Sequence, residues 1–86
     1  MKYTELTPDQ IYEIINEVVN DNEFKESVKE SELSKNEIID GIEDLFYELT
    51  REEGFSFRGM KNNDKFVFKG VLRMIIRTNI ELSLTQ

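Results

Sequence analysis

Two short strings, Thr7-Pro8-Asp9-Gln10 and Ser34-Lys35-Asn36-Glu37, do most to limit what this chain can become. Each sets a hydroxyl residue three positions before a Gln or Glu, the reciprocal pairing that satisfies the free amides at a helix start. In the first, Pro8 stands at the opening helical position, where its missing N–H costs nothing. Apolar stripes follow both. Ile11, Tyr12, Ile14, Ile15, Val18 and Val19 share one arc of a helix, with Asp9, Glu13, Asn16, Glu17, Asn20 and Asp21 opposite. Ile38, Ile39, Ile42, Leu45, Phe46 and Leu49 form the second stripe, and Gly54 supplies its stop. The spacing predicts helices over 8–20 and 35–53. Between them Asn20-Asp21-Asn22 breaks the period and offers a new cap. A shorter helix over 23–31 would turn Phe24 and Val28 inward and Lys25 and Lys29 outward.

The C-terminal third admits two readings. As a helix over 65–79, capped by Asn63 or Asp64, it gathers Val67, Phe68, Val71, Leu72, Met74 and Ile75 on one face. Lys65, Lys69, Arg73 and Arg77 occupy the other. As strands over 55–60, 65–70 and 72–84, it forms a β-hairpin or meander. Phe55/Phe57 and Phe66/Phe68 then alternate around Lys61-Asn62-Asn63-Asp64. An unbroken strand from 65 to 84 would be unusually long, and only Lys69-Gly70 could turn it. Gly70 costs a helix about 1 kcal/mol without forbidding it. The helix is therefore preferred, with 80–86 adding a short strand or a tail. The expected fold is mainly α: a small single domain, 1–86, of about four helices, the first and third packing on the fourth. The alternative is α+β with the C-terminal hairpin.

Composition then narrows the chemistry. Ile, Leu, Val and Phe make up 27 of the 86 residues, enough for a core. A chain this short buries only about 60–65% of its unfolded surface, so a partner or second copy would add useful stability. The absence of Cys and His excludes disulfides, thiol nucleophiles, Cys/His zinc sites, a Ser-His-Asp triad and a histidine switch. Gly41, Gly54, Gly59 and Gly70 are too scattered for a phosphate loop, and Asp21-Asn22-Glu23 lacks the glycine of a calcium loop. No catalytic residue, metal or cofactor is expected. The N-terminus has no apolar targeting segment and no apolar run exceeds three residues, which predicts a cytoplasmic protein without membrane contact. Phe, Tyr, Met, Ile, Asn and Lys number 35 against 9 for Ala, Gly, Pro and Arg, the usage of an AT-rich bacterial or phage genome.

Charge is the most informative remainder. Residues 1–50 carry 14 acids and 4 bases, residues 51–86 carry 7 bases and 4 acids, and the halves sum to the net −7 of the chain. Spacing of four recurs in three ladders: Asp9, Glu13, Glu17, Asp21; then Asp40, Asp44, Glu48, Glu52; then the basic Lys65, Lys69, Arg73, Arg77. Each like-charge pair at that spacing opposes its helix by about 0.2–0.5 kcal/mol. Arg51 stands near Glu48 as a relief, and nothing comparable relieves the first ladder. Three readings compete: ordinary solvated faces, pairing of acidic with basic ladders within or between chains, and mimicry of nucleic-acid phosphates. A ladder places a charge every ~6 Å, against about 3.4 Å along one DNA strand, so mimicry would need both acidic ladders facing one way.

The function expected is therefore a non-enzymatic regulator or inhibitor. It would dock on a protein partner through Asp9, Glu13, Glu17 and Asp21, with Asp40, Asp44 and Glu48. The alternative is a nucleic-acid-binding module using Arg58, Lys61, Lys65, Lys69, Arg73 and Arg77, with Phe55 and Phe57 for stacking. A homo-oligomer pairing acidic and basic helices is a third option. Filling the core is the more ordinary use of those phenylalanines.

Overall fold

The computed structural model describes the backbone of residues 1–84 and the side chains of residues 1–82. A 3-10 turn, Tyr3–Glu5, precedes α1 (Pro8–Val19), α2 (Asn22–Glu30), α3 (Lys35–Glu52) and α4 (Asn62–Leu84), the four α-helices among the described residues. Both reciprocal caps form. Thr7 Oγ1 accepts from the Gln10 amide at 3.2 Å while Gln10 Oε1 accepts from the Thr7 amide at 2.9 Å. Ser34 and Glu37 repeat the arrangement. Asp21 Oδ1 accepts from the Phe24 amide at 3.1 Å and opens α2. At the end of α3, the Phe55 amide donates to Thr50 O and the Gly54 amide to Arg51 O. That closure needs the left-handed backbone that Gly54 adopts at φ 98°.

The mainly α architecture holds and the hairpin over 55–60, 65–70 and 72–84 does not form among the described residues. α4 begins earlier than Asn63 or Asp64 would cap it, with the Lys65 amide donating to Lys61 O, and it passes through Gly70 without a break. It takes in residues 80–84 of the expected strand or tail; residues 85 and 86 lie outside the described residues.

α1, α3 and α4 pack on one another around Ile11, Ile15, Val18 and Val19, Ile38, Ile39, Ile42 and Phe46, and Phe68, Leu72, Ile76 and Ile80. α3 and α4 run antiparallel, with Phe46 beside Phe68 at one end and Lys35 bonded to Glu81 at the other. α4 settles in a different rotation from the expected one. Val67 and Met74 point to solvent, while Lys65 and Arg73 lie half-buried toward the bundle. The reason is that α4 carries apolar residues on two sides. Its sequence alone does not say which side the bundle takes, and the bundle takes the side with Phe68, Leu72, Ile76 and Ile80.

Tyr3 closes the core from outside the helices. Its ring lies 4.5 Å from Phe57 and 4.9 Å from Phe68, with Phe46, Tyr47 and Phe55 around it. Its hydroxyl meets that of Thr50 at 2.7 Å, and Thr50 donates to Phe46 O. The loop after α3 follows the N-terminal segment in a parallel bridge between Lys2 and Ser56, which turns Phe55 and Phe57 onto Tyr3.

Tyr47, at the edge of this cluster, donates to Glu43 Oε2 at 3.2 Å. Burial first, and the Glu43 carboxylate second, push its phenol well above the ordinary range. The unfolded chain loses the tyrosine proton near pH 10 while the folded chain keeps it. Stability from this source is thus complete below about pH 10 and falls as pH rises beyond it. Urea denaturation of wild type and Tyr47→Phe at about pH 8 and 11 checks this: the wild type is expected to lose more stability than the variant, and equal losses would refute the assignment. Among the described residues, no helix is long and apolar enough to cross a membrane.

Candidate functional site

Spacing of four advances a residue by about 40° around a helix axis at each step, because four residues exceed one turn. Both acidic ladders therefore wind rather than run straight, and each winds toward its own apolar stripe at its C-terminal end. Glu17 and Asp21 approach the arc of Ile14 and Val18 on α1. Glu48 and Glu52 approach that of Leu45 and Leu49 on α3. α2, started by the Asp21 cap, adds Glu23 and Phe24.

These ends meet. A groove of about 660 Å³ is lined by Glu17, Val18 and Asp21 from α1 and its cap, Glu23, Phe24 and Ser27 from α2, and Leu45, Glu48, Leu49 and Glu52 from α3. Its floor is apolar, and Leu45 and Leu49 remain 36% and 43% exposed within it. Among the described residues, five carboxylates rim it and no cation lines it. None of the five takes part in an ion pair among the described residues. Arg51, the expected relief for Glu48, bonds Tyr47 O through its Nε instead. The carboxylates are strung along the rim rather than gathered: no group of three or more acids among the described residues could hold a metal ion.

The opposite end of the second ladder has a different fate. Asp40 lies on the α4 side of α3, where Arg73 Nη1 donates to Asp40 Oδ1 and Glu43 Oε1, each at 2.8 Å. Those hydrogen bonds, Asp40 first and Glu43 second, raise the already high Arg73 value further. One rung of the acidic ladder thus pairs with one rung of the basic ladder. Lys35 binds Glu81 outside both ladders and holds that carboxyl below the usual range.

Of the residues expected to bind a partner, Glu17, Asp21 and Glu48 come together in the groove. Asp9, Glu13 and Asp44 are exposed elsewhere on α1 and α3, and Asp40 is held by Arg73. Glu23, Glu52 and the floor residues Phe24, Leu45 and Leu49 were not in that set. For Glu52, Leu45 and Leu49 the signal available was the 40° drift, which aims the ladder ends at the stripe edges; Glu23 and Phe24 on α2 carried no such signal. The basic set is dispersed. Arg73 is engaged, Lys65 is half-buried, Lys69 stands over the Phe57 ring at 5.7 Å, and Arg58, Lys61 and Arg77 are exposed. Phe55 and Phe57 pack on Tyr3 rather than offering stacking faces.

Comparison with protein-family models, with curated proteins and with solved structures returns no match.

Proposed function

We propose that this protein is a non-enzymatic interaction module that captures a basic, amphipathic helical segment of a partner protein in the groove between α1, α2 and α3, acting as a regulator or inhibitor of that partner. The observation that carries the reading is the unpaired acidic rim around an exposed apolar floor. Apolar anchors at helical spacing would seat on Val18, Phe24, Leu45 and Leu49, as amphipathic helices do in hydrophobic grooves. Lysines or arginines flanking them would meet Glu17, Asp21, Glu23, Glu48 and Glu52. The rim charges set approach rate and register, and the floor supplies most of the affinity. A phosphate mimic has no use for such a floor, so a helical protein segment suits the groove better than a nucleic-acid-binding surface does.

A Leu/Lys peptide of about 18 residues, five helical turns, tests this by titration into the isotopically labelled protein. The Val18, Leu45 and Leu49 methyl resonances are expected to shift, with affinity falling as salt rises. A Leu/Glu peptide of equal length is expected to leave them in place. Failure of the Leu/Lys peptide to shift these methyls, or equal shifts from both peptides, would remove the proposal.

A further inference from the structure

α4 has a second apolar side that nothing among the described residues covers. Phe66 is 78% exposed, Met74 66% and Val67 54%, and Leu82 continues the exposed side. Phe66, Gly70, Met74 and Thr78 follow one another at steps of four, and a Cβ at Gly70 would meet open space. Winding by about 40° at each step, this exposed side runs about 24 Å from Phe66 to Leu82 and has its apolar centre at Phe66, Val67 and Met74. A helix that is apolar on both sides belongs between two partners, and the bundle supplies only one. From Lys65 to Leu82 the helix carries four bases and one acid, Glu81, which Lys35 of α3 binds. Lys69 and Arg77 lie exposed beside the stripe, Lys69 over the Phe57 ring and Arg77 one turn from Glu81, and neither forms a salt bridge among the described residues.

An apolar stripe with a basic flank is the chemistry that the acidic-rimmed groove accepts. The two surfaces belong to different parts of the molecule, because the groove is built by α1, α2 and α3 and the stripe faces away from the bundle. We propose that the outward face of α4 in one copy of this chain docks in the groove of a second copy, so that self-association and partner capture compete for one site. Charge decides between this pairing and a symmetric one. An antiparallel pair of α4 helices related by a two-fold axis brings like flanks together and sets Lys69 and Arg77 of one copy beside the same residues of the other, Arg73 being held within its own chain by Asp40 and Glu43. In the groove the same cations meet carboxylates. The contact is head-to-tail, so every added copy presents a fresh groove or a fresh α4 and association continues past the dimer.

This inference rests on the proposed acceptance of basic helices by the groove, and the test separates the two. Analytical ultracentrifugation of the full chain at low salt, up to about 1 mM, is expected to show an average mass climbing beyond twice that of the monomer. Phe66→Asp with Met74→Asp removes the exposed face, and Glu48→Lys with Glu52→Lys reverses part of the rim. All four positions are exposed, so both proteins should fold. Each alone is expected to stay monomeric. Their equimolar mixture is expected to form a complex that stops at the dimer, because one protein keeps an intact groove and the other an intact face. A wild type that remains monomeric, or a mixture that fails to associate, overturns the proposal. If Phe66→Asp/Met74→Asp then still binds the Leu/Lys peptide, the groove reading survives alone. If the peptide also fails, both readings fall.

Discussion

Replacing Tyr3 with alanine is expected to cost about 3–5 kcal/mol of folding free energy, the range for deleting a large buried aromatic ring. Midpoints shift about 4–8 °C per kcal/mol in a chain of this size, so thermal denaturation will register the loss readily. Tyr3 is 1% exposed although it lies outside every α-helix. Rings from α3, from the loop after it and from α4 surround it, which makes it the joint where three separate segments meet. Removing it leaves Phe57 and Phe68 facing a void and frees the loop that carries Phe55 and Phe57. Tyr3→Phe isolates the hydroxyl. Thr50 keeps its donation to Phe46 O at 2.8 Å, so no buried donor is stranded. That substitution is expected to cost only about 1 kcal/mol. Urea denaturation of both variants measures the two contributions. A loss below about 1 kcal/mol for Tyr3→Ala would mean that the N-terminal segment does not belong to the core.

Tyr3 also shows where sequence reading loses its grip. Capped, periodic segments announce themselves: Thr7 to Gln10 and Ser34 to Glu37 mark their helix starts, and the apolar residues buried in α1 and α3 come from the expected stripes, while buried Thr50 lies outside them. A single tyrosine in a nonperiodic stretch has no pattern to reveal its burial. The alternation of Phe55 and Phe57 suggested a strand, and it has a physical counterpart. The chain there is extended beside residues 1–3 and turns alternate side chains onto Tyr3, but it pairs through one isolated bridge rather than through a ladder. α4 was legible as a helix and its orientation was not, because Val67 and Met74 are as apolar as Leu72 and Ile76 and only tertiary packing chooses between them. The groove was half legible. The ladders and their drift are properties of α1 and α3 taken singly. Their meeting depends on α2, whose Asp21 cap serves both the helix start and the acidic rim.

Neutralising Glu17 and Glu48 together, as Glu17→Gln with Glu48→Gln, is expected to make the protein more stable and a poorer binder. Each residue sits in the middle of its ladder, so the double variant removes three like-charge contacts at spacing four within a helix: Glu13 with Glu17, Asp44 with Glu48, and Glu48 with Glu52, Asp21 standing beyond the end of α1. At about 0.2–0.5 kcal/mol apiece, their relief sums to about 0.6–1.5 kcal/mol at low salt and shrinks as salt screens it. Neither residue donates to or accepts from a cap, and neither is ion-paired among the described residues, so no opposing loss offsets the gain. Gln keeps the side-chain length and helix preference of Glu. Affinity for the Leu/Lys peptide is expected to fall by about tenfold, as for two partly exposed charge contacts of about 0.7 kcal/mol each, and its salt dependence to flatten. The opposed signs are what matter. Carboxylates that merely solvate a helix face would raise stability on neutralisation without touching binding, and carboxylates that hold the fold would lower both. Stability up with binding down, measured by urea denaturation and calorimetry on the same protein, is the signature of charges kept for a partner at the expense of the isolated chain.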